Sequence, residues 1–175
     1  MKRRLIWLPL IAFAALATVA VYGLFRPDNS TIRSALVGQP LPDFTLPAMV
    51  AGKPGLTRAD MTGGGPRLLN IFGSWCIPCI AEAPQLMQLK QRGIAIDAIA
   101  IRDTGAAVRR FLSDHGDPYV RIGDDPQSRV QLSLGSSGVP ETFVIDAEGR
   151  IAHQHIGPIN ASDVPAILKA LEDAR

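Results

Sequence analysis

Leu68-Leu69-Asn70-Ile71-Phe72-Gly73-Ser74-Trp75-Cys76-Ile77-Pro78-Cys79 joins a near-continuous apolar run to two cysteines separated by two residues. Apolar side chains at successive positions mark a strand buried on both faces, as in a parallel sheet. Ile80 to Arg92 then reads as a helix, with apolar Leu86 and Leu89, a Pro84 expected to kink it, and Gly93 to stop it. Ile94 to Ile101, rich in Ile and Ala, is the next strand. Strand, helix and strand make a βαβ unit, whose crossover is right-handed.

Cys76 and Cys79 are the only cysteines in the chain. Two thiols at this spacing on a helix start are placed for thiol-disulfide exchange. The N-terminal end of a helix carries partial positive charge and free N–H groups, which favour a thiolate on Cys76. Cys79 lies one turn on, within reach to close the disulfide and less exposed. Cys76 is therefore expected to attack and Cys79 to resolve the mixed disulfide. A bridge over so short a loop constrains little unfolded-chain entropy, so a purely structural role is disfavoured. Half a zinc site is the competing reading, but only His115, His153 and His155 could complete it, and none stands at ligand spacing from the pair. No metal and no separate cofactor is expected beyond the cysteine pair itself.

Around the βαβ unit, Pro40-Leu41-Pro42-Asp43-Phe44-Thr45-Leu46-Pro47 is extended, because each proline biases its predecessor out of the α region. Phe44 to Leu46 reads as a short edge strand and Gly52 to Gly65 as loop. Thr104 to His115 shows a helical stripe of Val108, Phe111 and Leu112, ended by Gly116. Val120 to Ile122 reads as a short strand and Gln127 to Leu134 as a short helix. Thr142 to Ile145 and Ile151 to Ile156, joined by Asp146-Ala147-Glu148-Gly149, read as a hairpin. Ser162 can cap a last helix running to about Asp173. The resulting fold class is α/β, a mixed central sheet flanked by helices in the order of the thioredoxin fold. It carries an N-terminal β extension and an insertion, residues 104 to 135, after the βαβ unit.

At the N-terminus, Lys2-Arg3-Arg4 precedes Leu5 to Phe25, a stretch without a charged side chain. As a helix this would be roughly 30 Å long, enough for a bilayer core, and the basic start places the N-terminus inside. Residues 1–25 are read as an anchor with its span at 5–25, and 26–37 as a linker. Residues 38–175 form one domain. A cleaved signal peptide is the alternative, although its apolar core is normally shorter, about 7–15 residues. Either way the domain is exported. Residues 38 to 175 hold 13 Lys and Arg against 15 Asp and Glu, so no basic patch points to nucleic acid.

The second chemical signal is Gly138-Val139-Pro140-Glu141-Thr142-Phe143, just before a strand. In this element order Pro140 begins the strand facing the cysteine pair. A cis Val139–Pro140 bond there would keep an N–H away from the sulfurs and turn Val139 outward to pair with an extended substrate. Glu82 falls three residues after Cys79 on the same helix face, and Glu141 follows the proline. Two carboxylates beside the thiols would oppose thiolate formation at Cys79, and one could carry its proton. The alternative makes Glu82 a solvated helix residue and Glu141 a strand-edge charge. Trp75 would form a flat wall beside the nucleophile or simply pack. Ile77 and Pro78 make the loop between the cysteines rigid and neutral. His153 and His155 share an ordinary hydrophilic strand face.

Phe72 to Glu82 resembles the active-site segment of exported, membrane-anchored thioredoxin-like proteins. Gly138-Val139-Pro140-Glu141-Thr142-Phe143 is similar to the Gly-x-Pro-Glu-Thr-Phe segment of one branch, the thiol:disulfide interchange proteins of cytochrome c maturation (DsbE/CcmG type). Gly38, Pro42, Asp43 and Phe44 fit its opening. Gly73-Ser74 stands where that family often has Ala-Ser, and Leu134-Gly135-Ser136-Ser137 replaces a more usual Leu-Gly-Val-x. The resemblance implies a periplasmic, inner-membrane reductant that keeps the haem-binding cysteines of apocytochrome c, or of another maturation thiol protein, reduced. It implies electrons from a membrane donor of the DsbD/CcdA type, acidic residues at Glu82 and Glu141, and a cis-proline at Pro140. A general exported oxidoreductase with other clients, or a redox-inactive binding module, are the alternatives.

Overall fold

The computed structural model describes residues 7–24 and 34–175. The chain divides into two compact units, 1–31 and 32–175. In the first, helix α1 (Trp7–Leu24) presents Leu10, Ile11, Phe13, Leu16 and Val19 outward. Its 18 residues rise about 27 Å. Among the described residues no helix is long and apolar enough to cross a membrane. Leu5, Ile6 and Phe25 of the expected span lie outside the described residues, as does the 26–33 part of the expected linker 26–37.

In the second unit, β3 (Arg67–Phe72), β4 (Ile96–Ile101), β5 (Ile122–Asp125), β6 (Glu141–Ile145) and β7 (Ile151–Ile156) form one sheet ordered β5-β4-β3-β6-β7. β3, β4 and β5 are parallel, β6 runs antiparallel to β3, and β7 antiparallel to β6. This is the mixed sheet expected, with β3 in its centre. β3 is apolar on both sides because both of its faces are covered. Leu68 and Phe72 face a cluster with Leu86 and Leu89 of α2 (Ile77–Gln91), Val108 and Phe111 of α3 (Gly105–His115), and Ile167 and Leu171 of α5 (Val164–Asp173). Leu69 and Ile71 face the opposite cluster, with Val130 of α4 (Arg129–Ser133), Leu134, Phe143 and Ile145.

That second cluster also receives the N-terminal extension. β1 (Thr45–Leu46) pairs antiparallel with β2 (Leu56–Thr57), and Leu46, Leu56 and Met61 close over the sheet. The approach is tight at Gly123 of β5, where a Cβ would lie 2.8 Å from Leu46 side-chain carbons. Only a residue without a side chain admits the hairpin there.

The extension differs from its expected form in two ways. The edge strand is two residues rather than Phe44–Leu46, and it has a partner, β2, inside the stretch read as loop. Strands this short have no period to read. The domain also begins before Gly38. Ser34, assigned to the linker, is buried and donates its hydroxyl to Leu134 O at 2.6 Å. At the other end Asp163, not Ser162, occupies the N-cap position of α5. The insertion contains α3, β5 and α4. The strand in it is Ile122–Asp125 rather than Val120–Ile122.

Candidate active site

β3 delivers the chain through Gly73, Ser74 and Trp75 to Cys76, the N-cap of α2. Cys76 and Cys79 are joined by a disulfide, with their Cα atoms 5.2 Å apart. The Cys79 N–H points at Cys76 Sγ, 3.3 Å away, as a capping side chain receives a helix N–H. In the reduced protein the same N–H and the helix dipole favour negative charge on that sulfur. Both cysteines are nearly covered, Cys79 at 1 % and Cys76 at 4 % exposure. Around them Ile77 (78 %) and Trp75 (53 %) stand in solvent.

The turn before Cys76 is clipped to the end of β4. Asp103 accepts from Ser74 N at 2.5 Å and from Ser74 Oγ at 2.9 Å. The Trp75 indole N–H reaches Ile101 O at 3.4 Å. The indole then lies where a Cβ on Gly73 would be, only 2.7 Å from Nε1 and Cε2. Gly73→Ala is therefore expected to swing the ring off Ile101 while changing stability by less than about 1 kcal/mol, since the far end of one side chain gives way. A displaced Trp75 indole N–H resonance with unchanged unfolding would show this; an unmoved resonance would contradict it.

Beside Trp75, a groove of about 420 Å³ is lined by Ile101, Arg102, Leu132, Gly138 and Val139. Val139 packs against the core cluster that contains both cysteines. The Val139–Pro140 peptide is cis. Trp75 and Val139, both expected at a substrate surface, thus share one groove, and Ile77 and Pro78 are exposed at the start of α2.

The two carboxylates part company. Glu82 is fully buried on the inner side of α2, one turn beyond Cys79, and not the solvated residue of the alternative reading. Its Oε1 accepts from Asn70 Nδ2 at 3.0 Å and its Oε2 from Ile159 N at 3.0 Å. Burial dominates over these donors and pushes its carboxyl up from 4.5 to about 7. Glu141 is equally buried, but it pairs in register with Ile71 and follows the parity of Phe143, whereas Asn70 pairs with Thr142. Glu141 therefore lies on the opposite face of the sheet from Glu82. Its Oε2 accepts from Ser136 Oγ at 2.8 Å and Ser137 N at 3.1 Å, and its Oε1 from the Gln154 amide. Gln154 in turn accepts from Ser34 N at 2.7 Å. The expectation of two acids flanking the thiols is corrected. Glu82 occupies that place, and Glu141 ties down the loop leading to Pro140. Sequence could not separate them, because the face of a strand residue depends on register.

Two further residues of the site, Asn70 and Tyr119, lie outside the sequence-based expectations. Asn70 donates to both Glu82 and Thr142 Oγ1, the latter at 3.0 Å, and accepts from the Tyr119 hydroxyl at 2.8 Å. A lone polar residue inside the apolar run Leu68–Phe72 is the available signal for Asn70. Tyr119 gives none. His155, read as part of a plain strand face, lies 3.3 Å from Pro158 O and 4.0 Å from Asp163.

A thioredoxin-like sheet with a Cys-x-x-Cys disulfide at a helix N-terminus and a cis-proline at the start of a neighbouring strand defines a protein thiol-disulfide oxidoreductase. The Redoxin family's sequence model matches residues 36–171. The thiol:disulfide interchange protein DsbE homolog of Paracoccus denitrificans is 38% identical over 172 residues, covering 94% of this chain and 93% of that protein. The thiol:disulfide interchange protein HelX of Rhodobacter capsulatus is 38% identical over 159 residues, covering 91% of this chain and 90% of its own length. A thioredoxin-family thiol:disulfide interchange protein from Chlorobium tepidum superposes with a TM-score of 0.61 at 25% identity, over 77% of this chain and 94% of that one. The chain belongs to the redoxin family, among the thiol:disulfide interchange proteins of the DsbE type.

Proposed function

We propose that this chain is an exported reductant for cytochrome c maturation, held at the inner membrane by its N-terminal segment with its catalytic domain in the periplasm. The observation that carries the reading is the Gly138–Phe143 segment, with its cis Val139–Pro140 bond, beside the Cys76–Cys79 disulfide. Cys76 attacks a disulfide formed by the haem-binding cysteines of apocytochrome c, or by another maturation thiol protein. Cys79 resolves the mixed disulfide, and Glu82 takes its proton. Trp75, Ile77, Pro78 and Val139 contact the client. A membrane donor of the DsbD/CcdA type returns the electrons. The uncharged stretch Leu5–Phe25, together with the outward apolar side chains of α1, supports the anchor.

The test is a Cys79→Ser variant of the full chain, expressed in a cell making c-type cytochromes. It is expected to accumulate clients as mixed disulfides on Cys76, and their identification by mass spectrometry should return proteins with haem-binding cysteine motifs. Trapped partners without such motifs would overturn the client assignment. A reduction potential near about −270 mV fits a reductant, whereas one near about −120 mV would reverse the direction of electron flow.

A further inference from the structure

One turn along α2 from Cys79, Glu82 joins a set of buried, hydrogen-bonded side chains. Asn70, Glu82, Tyr119 and Thr142 come from β3, α2, the loop between α3 and β5, and β6, and all are 3 % exposed or less. Asn70 is at their centre. Its amide hydrogens go to Glu82 Oε1 and Thr142 Oγ1, both at 3.0 Å, and its oxygen receives the Tyr119 hydroxyl at 2.8 Å. An amide turned end for end would offer its oxygen to Glu82, an arrangement suited to a protonated carboxyl. The Tyr119 hydroxyl opposes that turn: facing the NH2 it could still accept, but its own hydrogen would lose the oxygen to which it now donates, inside a buried site. The ring is itself held, stacked on Phe72 with centroids 5.0 Å apart.

We propose that Tyr119 is a positioning residue for the exchange reaction: its hydroxyl locks the Asn70 amide so that the amide donates to Glu82 and favours the ionised, proton-accepting carboxylate next to Cys79. This rests on the reading of Glu82 as the group that takes the Cys79 proton. In that step the proton passes from Cys79 Sγ to Glu82. The freed thiolate attacks Cys76 Sγ, the Cys76–Cys79 bond forms, and the Cys76–client bond breaks. The client sulfur leaves as a thiolate with the electron pair. An unlocked amide would let Glu82 hold a proton at higher pH and so lose its capacity as an acceptor.

Among the described residues the ionisable groups about Glu82 are few, and the nearest cation to its Tyr119 neighbour is Lys53, which pairs with Asp117 at 2.8 Å and donates to Tyr119 O. Cys79 is on its own helix, Tyr119 comes from the α3–β5 loop with Asp117 acting on it, and β3 and β6 contribute only neutral Asn70 and Thr142. His155 and Asp163 flank the loop that carries Ile159, whose N–H is the other donor to Glu82. The set is compact enough to titrate residue by residue.

The chain has four glutamates, at positions 82, 141, 148 and 172, so carboxyl carbon-13 signals in the reduced full chain can be assigned by substitution. Tyr119→Phe, which keeps the ring on Phe72, is expected to raise the Glu82 titration midpoint by about 0.5–1 pH unit, the worth of one hydrogen bond. The rising limb of the pH–rate profile for reduction of a synthetic disulfide-bonded Cys-x-x-Cys-His peptide should move with it. Thr142→Val, which removes the acceptor for the other amide hydrogen, should shift both in the same direction and decides the matter if Tyr119→Phe does not fold. A midpoint that stays or falls would overturn the proposal. A midpoint that rises, with a Glu82→Gln variant exchanging at the wild-type rate at every pH, would keep the Tyr119 lock and overturn the role of Glu82 in proton transfer.

Discussion

Glu82→Gln is expected to remove a loss of about 2–3 kcal/mol in stability that the wild-type chain suffers between about pH 4.5 and about pH 8. Burial raises the Glu82 carboxyl from 4.5 to about 7. A carboxyl raised in this way binds its proton more tightly folded than unfolded. Its favourable contribution is complete below about 4.5 and disappears as pH climbs through about 7. Every tenfold gain in proton affinity on folding is worth about 1.4 kcal/mol, which sets the size of the effect. Glutamine stays neutral throughout, and its amide has one acceptor where the carboxyl has two, so either Asn70 Nδ2 or Ile159 N loses its partner to the same extent at every pH. Denaturant titrations should therefore show the wild-type chain losing stability between about pH 4 and about pH 8, while the variant, offset by the lost bond, stays nearly level. Parallel curves across the range would show that Glu82 does not carry the pH dependence. The fully buried site makes the comparison clean, since no solvent screening intervenes. It also means that the Glu82 carboxylate works against the fold at neutral pH.

The largest effect on activity is expected from Cys76→Ser, which should lower disulfide exchange at least ~10³-fold. A serine hydroxyl at the same N-cap receives the Cys79 N–H equally well but does not ionise in this pH range, so the first attack is lost. Cys79→Ser should keep that attack and lose only the resolving step. Following peptide disulfide reduction alongside mixed-disulfide formation separates the two. If Cys79→Ser blocks the attack and Cys76→Ser permits it, the assignment of nucleophile and resolving thiol is reversed. The helix geometry favours the order given: Cys76 is the N-cap whose sulfur receives the Cys79 N–H, and Trp75 and Ile77 on either side of it are exposed.

The βαβ unit is legible because its cues are local. An unbroken apolar run, two cysteines at a helix start and a glycine stop all lie close together in the chain, and the strands at Arg67–Phe72 and Ile151–Ile156 follow their patterns residue for residue. The two-residue strands β1 and β2 escape such a reading, since their pairing rests on leucines closing over a sheet formed much later in the chain. Ser34 looks like linker for the same reason: its partners are Leu134 and Gln154, 100 and 120 residues away.

The chemistry divides along the same line. The redox pair, the helix that starts at it and the proline at the head of a neighbouring strand are legible in the sequence, because spacing along one helix and position at a strand start are properties of adjacent residues. The tertiary structure alone decided the fate of the two acids. Glu82 went to the thiol side of the sheet and Glu141 to the other, through a register in which Asn70 meets Thr142 and Ile71 meets Glu141. It alone brought Tyr119 to Asn70 across 49 residues of chain. A buried hydrogen bond is made by whatever donor the packing sets beside an acceptor, and packing is a property of the whole fold.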